Sequence, residues 1–411
     1  MSMSSSLRIK VLALSAIFTF AGLVHSQTLA RPGWAGSGIS IAAWWKHAVV
    51  YRADPRGFGG LHGVAEHLDY IRSLGADALL LSSLGGDAQH AIDPSLGTMD
   101  DVDEVVRRAS QSNVRVLVEL DATAPDMAAR ARLWLVRGVA GFYVAKTNTS
   151  QLTEIRSLAN SFAGQRIVIG DLNAGGAQNL PQLTVDPKAG TQEKFVASAI
   201  RPALEATQQI ADEGHSIPLL LSDAPTLKRS ASRYGDGTHD VEIAKSVAAM
   251  LMTTRAGVML FYGQELGLPD GAKDISFATP KKGELPTPTS VAAEDTNQNS
   301  LLNWYRQLSA LVHSNRTMGS GSITVLNHDD QNVLAWVRKP PVASLATPAV
   351  VIVENLSDQP ITLSLKGDMQ KLRLRGSFLR ALLRSDNGMG ALHLDGMTLA
   401  PHMVFIGELR Y

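Results

Sequence analysis

Between Trp44 and Leu268 the chain alternates two textures. Short, predominantly apolar runs read as strands buried on both faces: "AVVY" (48–51), "ALLL" (78–81), "VRVLVEL" (114–120) and "GFYV" (141–144). The same holds for "IVIG" (167–170), "LTV" (183–185), "PLLL" (218–221) and "VMLFY" (258–262). Between the runs, stretches such as "GVAEHLDYIRSLG", "MDDVDEVVRRAS" and "EIAKSVAAMLMTTR" repeat apolar residues three and four apart, the period of an amphipathic helix. Strands covered by helices on each side are parallel. Eight strand–helix units in succession therefore predict the α/β class and a (β/α)8 TIM barrel over residues 44–318, closed by the helix "SLLNWYRQLSALVHS".

After Met318 the texture changes. "SITVLN", "VLAWVR", "AVVIVEN", "ITLSL", "LRLRG" and "MVFIGEL" are short β-type runs broken by Gly, Asn, Asp and Pro. They predict a C-terminal antiparallel β-sandwich over residues 319–411. The polar, proline-rich stretch 277–290 predicts an exposed loop.

At the other end, Arg8 and Lys10 precede the apolar run "VLALSAIFTFAGLV" (11–24), followed by "HSQ". The run is shorter than the roughly 20 residues a bilayer span requires. Small Val24 and Ser26 suit a signal peptidase, so residues 1–26 read as a signal peptide cleaved before Gln27, with 27–43 as a linker. This predicts a secreted or periplasmic protein with no membrane span after cleavage; an uncleaved anchor is the alternative. In the 411 residues, 38 Lys and Arg balance 38 Asp and Glu, which argues against nucleic-acid partners and anionic membrane surfaces. The absence of cysteine excludes disulfides, thiolate catalysis and Cys-ligated metals.

Seven stretches, "WWKHAVVYRADPRGF", "LDYIRSLGADALLLS", "IDPSLGTMDDVDEVV", "LWLVRGVAGF", "SRYGDG", "LFYGQELGL" and "SLLNWYRQLSALVHSN", resemble in order and spacing the α-amylase family, glycoside hydrolase family 13, in its oligo-1,6-glucosidase and α-glucosidase branch. The resemblance implies a barrel followed by a β-sandwich, and retaining hydrolysis by two carboxylates about 5–5.5 Å apart. It also implies where the chemistry would stand. The family's strand-four Gly-Phe-Arg-x-Asp is here Gly141-Phe142-Tyr143-Val144-Ala145, so the nucleophile position holds Ala145 and the arginine position Tyr143. The strand-five Gly-Glu is Gly170-Asp171, one methylene shorter. The strand-seven Asn-His-Asp falls on Ala224, Pro225 and Thr226, and the strand-three Asn-His on Thr123 and Ala124. The family's sugar-gripping Gly-Tyr-Asp after strand two is shortened away. The inserted domain is reduced to "DATAPD", and the calcium loop is replaced by "GFGGLHG", so no calcium and no other cofactor is implied.

The polar candidates that remain are Asp121, Asp171 and Asp223, each expected at a strand end. One reading makes Asp171 a general acid with Asp121 or Asp223 as a relocated nucleophile. The other makes them carboxylates that cap turns and helix N-termini. Tyr143, Tyr234 and Phe277 are the aromatic candidates for a substrate face. Glu265 matches a scaffold position of the family at the strand-eight turn. His62 and His67 have no carboxylate or second histidine at a metal spacing, so no metal site is expected. Trp44, Trp45, Trp134 and Trp304 are assigned to the core.

Three functions follow. The first is an exported, catalytically inactive homologue acting through an α-glucan or an envelope protein. The ectodomains of the heavy chains of heteromeric amino-acid transporters resemble this family in that way, as partner proteins without its catalytic groups. The second is a retaining glycosidase with relocated carboxylates, and the third a structural component of an envelope carbohydrate system.

Overall fold

The computed structural model describes residues 41–86, 91–145, 148–171, 181–213, 216–278, 289–342, 344, 346–386 and 388–411. The signal segment and most of the linker lie outside the described residues.

Eight parallel strands close into a barrel in chain order: β1 (Val49–Ala53), β2 (Ala78–Leu81), β3 (Arg115–Asp121), β4 (Gly141–Ala145), β5 (Ile167–Asp171), β6 (Leu183–Asp186), β7 (Ile217–Leu220) and β8 (Gly257–Phe261). β1 pairs with both β2 and β8, which completes the ring. Each apolar run is a strand because it has two faces to bury. Val50, Leu80, Leu117, Ile169, Leu219 and Met259 fill the barrel interior. Their neighbours Tyr51, Leu79, Val118, Phe142, Val168 and Leu260 pack outward under the helices. At the start of β4 the backbones press so closely that a Cβ on Gly141 would lie 2.1 Å from the Ile167 carbonyl oxygen, so only glycine fits.

Two of the four tryptophans expected in the core, Trp134 and Trp304, are buried there. Trp44 and Trp45 differ: half-buried in the 3-10 turn Ile41–His47, they pack edge-to-face against each other and against the barrel interior from the end where β1 begins. The Arg115 guanidinium lies 4.4 Å from the centre of the Trp44 ring. After β3, the helix Met127–Val136 follows directly, with only residues 122–126 between.

The C-terminal strands are β9 (Ser322–Leu326), β10 (Val333–Lys339), β11 (Val350–Asn355), β12 (Ile361–Leu363), β13 (Phe378–Arg384), β14 (Leu392–His393), β15 (Met397–Leu399) and β16 (Val404–Arg410). Six form one antiparallel sheet in the order β14-β13-β16-β11-β10-β9, and β12 pairs with β15 in a small second layer. The large sheet is covered twice. Trp336, Ile352, Val404 and Ile406 join the barrel's apolar cluster, while Ala335, Val337, Val353 and Phe405 face a separate core closed by Met369, Met397 and Leu399. The run "LRLRG" is not a strand: it leaves the helix Lys366–Lys371, and Leu372 and Leu374 pack back onto the smaller core.

Two buried arginines tie the domains together. Arg201, on the helix Ala197–Glu213, donates to the carbonyls of Asn327, His328, Asp330 and Val333 at 2.7–3.0 Å. Arg338 on β10 is fully buried and donates to the carbonyls of Thr253 and Thr254 at 2.9 and 2.8 Å, and to those of Met318 and Gly321.

Candidate functional site

The C-terminal ends of the barrel strands open onto a cavity of about 760 Å³, the end where barrel enzymes carry their chemistry. Its polar wall comes from Arg52 on β1, Glu119 and Asp121 on β3, Tyr143 on β4 and Asp171 on β5. The parallel register of β3 and β4 sets Glu119 beside Tyr143 and Asp121 beside Ala145.

These groups close on one another. One Arg52 nitrogen, Nη2, donates to both oxygens of Glu119, at 3.0 and 2.8 Å. The Tyr143 hydroxyl donates to Asp171 Oδ1 at 3.2 Å, and the Arg52 guanidinium lies 5.2 Å from the Tyr143 ring centre. Burial, and then the neighbouring Asp171 charge, hold the Tyr143 phenol well above its ordinary pKa, so Tyr143 is a neutral donor. Asp121 is exposed and its Oδ1 accepts from the Thr123 hydroxyl at 2.7 Å and the Thr123 amide at 2.8 Å. Those two bonds, the hydroxyl's first, hold its carboxyl below the usual range. This is a turn-capping arrangement.

The three expected carboxylates are not brought together. Asp121 and Asp171 line the cavity; Asp223 does not. It is buried, accepting from the Ser222 hydroxyl at 3.0 Å and from the Ser230 amide at 2.9 Å, where the helix Ser230–Tyr234 begins. Tyr234 also lies away from this cavity. Its hydroxyl donates to the carbonyls of Gly190 and Gln192, and its ring packs on Phe195 at 5.2 Å beside a different cavity. Phe277 is neither exposed nor in the cavity: it stacks on His67 at 3.5 Å and packs against Phe58 and Tyr70. His67 is thus a packing residue whose pKa burial lowers, and exposed His62 faces Glu66 at 3.2 Å. Glu265 is fully buried behind the strand-eight turn, accepting from Tyr51 at 2.7 Å and Tyr70 at 2.6 Å, and burial pushes its pKa up.

Arg52 and Glu119 were not singled out from the sequence. Their signal is a charged side chain at an inward position of an otherwise apolar run, in "VVYRA" and "VRVLVEL".

Residues 49–124 match the model of the α-amylase catalytic domain. Trehalose-6-phosphate hydrolase of Escherichia coli is 36% identical over 95 residues, 19% of this chain and 17% of that protein. The first three barrel strands are therefore similar to the α-amylase catalytic domain.

An amino acid transporter heavy chain of Oryctolagus cuniculus, SLC3A2, is 23% identical over 351 residues, 72% of this chain and 66% of that one. The chain thus spans less than two thirds of the length of either relative. In fold, the crystal structure of Bacillus licheniformis trehalose-6-phosphate hydrolase superposes with a TM-score of 0.75 at 14% identity, covering 90% of this chain and all of the other. Isomaltulose synthase from Erwinia rhapontici gives 0.71 at 17%, covering 90% and 99%. Within this α-amylase-type barrel, the positions where the resemblance places the family's catalytic groups do face the cavity: Ala145, Asp171, Thr123, Ala124, Ala224, Pro225 and Thr226 all line it. What changes is the chemistry they carry.

Proposed function

We propose that this protein is an exported, non-hydrolytic member of the α-amylase family that works through a binding contact with an envelope protein or an α-glucan. One observation carries the reading: the residue that ends β4 at the cavity is Ala145. Retaining hydrolysis needs a carboxylate there to form the glycosyl-enzyme bond, with a second about 5–5.5 Å away to hand a proton to the leaving oxygen. A methyl group does neither. The carboxylates that do line the cavity are engaged by neighbours, Glu119 by Arg52, Asp121 by Thr123 and Asp171 by Tyr143. The likeness to a transporter heavy chain over 72% of this chain supports a partner role. The segment 1–26 supports export, and among the described residues no helix is long and apolar enough to cross a membrane.

The test is hydrolysis of p-nitrophenyl α-glucoside and maltose by the mature protein. Release no faster than in buffer is expected. Turnover that disappears in Asp171→Ala would overturn the reading and install the relocated-carboxylate glycosidase. A pull-down from envelope extracts, run beside an α-glucan affinity gel, then separates the two kinds of partner.

A further inference from the structure

A second cavity, of about 420 Å³, lies where loops of the barrel meet the C-terminal domain. Tyr234 and Asp236 line it from the barrel, and Asp358 and His402 from the sheet domain. Beside it three side chains far apart in sequence converge. Asp236, His239 and His402 present possible donor atoms that all lie within 4.8 Å of one another. The His239 and His402 ring centres are 4.8 Å apart.

Each member is held in place. Asp236 Oδ1 accepts from the amides of Thr238 and His239 at 2.7 and 2.6 Å, which leaves Oδ2 turned toward His239 Nδ1 at 2.9 Å. His239 is the residue immediately before the helix Asp240–Thr253. His402 occupies the turn before β16, with its amide bonded to the Ser357 carbonyl at 3.1 Å.

A second observation is independent of this clustering. His402 is only 8% exposed, and its Nε2 is shielded from solvent with no hydrogen-bond partner. Buried polar atoms are almost always satisfied. A buried ring nitrogen without a donor or acceptor, on an imidazole whose centre lies 4.8 Å from that of His239, is what a ligand would complete.

We propose that Asp236, His239 and His402 bind a divalent transition metal of the zinc class and so clasp the barrel to the C-terminal domain. Two imidazoles and one carboxylate are borderline donors, suited to Zn²⁺ rather than to the hard, all-oxygen Ca²⁺ and Mg²⁺. Donors at zinc bond lengths of about 2.0–2.1 Å in a tetrahedron lie about 3.4 Å apart. Small shifts of the partly exposed His239 ring and of Asp236 Oδ2, with Oδ1 keeping its two backbone bonds, close that gap toward the buried His402, and water completes the tetrahedron. A metal set is thus assembled that the spacing of His62 and His67 did not announce, and it depends neither on the barrel-mouth cavity nor on the binding role proposed above.

The experiment is a titration of tag-free mature protein, stripped with a chelator, with Zn²⁺ by calorimetry and with Co²⁺ by visible absorption. One ion per chain, tetrahedral Co²⁺ bands and a raised Tm are expected. His402→Ala and His239→Ala should each weaken binding at least tenfold. Because His239 is at the surface, His239→Ala should keep the circular dichroism and metal-free Tm of the parent, so its loss of binding cannot be ascribed to misfolding. Absence of zinc binding by the parent would overturn the proposal, as would binding of equal strength in His239→Ala and Asp236→Asn.

Discussion

A methyl group at position 145 and a phenol at position 143 alter what the mouth of this barrel can do, and restoring a single group does not restore a unit. The double variant Ala145→Asp with Asp171→Glu should fold and still hydrolyse no α-glucoside measurably. Tyr143 stands where the resemblance places the family's orienting arginine, and Ala224, Pro225 and Thr226 still offer no histidine or carboxylate. Groups that act together lose their effect together. Efficient hydrolysis by the double variant would show that the cavity retains more of the family's machinery than its lining implies. Glu354 offers a second residue-scale prediction. It is fully buried, neither carboxyl oxygen has a hydrogen-bond partner, and burial alone holds its pKa well above normal. The folded chain therefore keeps a proton that the unfolded chain releases above about pH 4.3. Stability is fully present below that pH and falls as pH rises toward the folded-state value. Glu354→Met should stabilise the protein at pH 7 by about 1–3 kcal/mol, and by less at pH 4. Denaturant titrations at the two pH values check the sign, and a destabilised variant at pH 7 would refute it.

At the scale of elements, the barrel strands were legible and the C-terminal ones only partly so. A parallel strand under helices on both sides must be apolar throughout, and that signature survives without any knowledge of partners. The sheet domain offers weaker marks. β12, β14 and β15 are two or three residues long. β13 leaves little trace in the sequence because its register on β16 shifts between Ala381 and Leu383, and such an irregularity breaks the period-two alternation of a strand. The junction elements carry the next prediction. Arg338 supplies donors to carbonyls at the end of the helix Asp240–Thr253 and in the segment leading into β9. Arg338→Met leaves those carbonyls buried without donors and should cost on the order of 3 kcal/mol in urea unfolding. A change near zero would mean that water takes the place of the guanidinium.

For the whole molecule, the two domains share one core rather than touching at a seam. Trp336, Ile352, Val404 and Ile406 belong to the same apolar cluster as the barrel helices, and Arg201 and Arg338 cross the same boundary. The mature chain should therefore unfold in a single calorimetric transition, with van't Hoff and calorimetric enthalpies in agreement. Two separable transitions would contradict the shared core. N-terminal sequencing of fractionated protein should find a start at Gln27 outside the cytoplasm. An intact Met1 in the membrane pellet would favour the retained anchor.

Local pattern was sufficient for the eight strands, for the change to β structure after Met318, and for the motif alignment that put Ala145 at the end of β4. Each of these depends on residues close together in the chain or on a one-dimensional order of motifs. Tertiary structure alone decided the rest. Arg52 meets Glu119 only because β1 and β3 flank β2 in the sheet and both side chains face the cavity. Asp223 accepts from the start of the helix Ser230–Tyr234, and Tyr234 reaches the carbonyls of Gly190 and Gln192 in the segment after β6. Asp236, His239 and His402 come together only when the C-terminal sheet docks. The direction of a side chain beyond a strand end is set by loop geometry and by partners far away in sequence, and neither leaves a periodic trace in the chain.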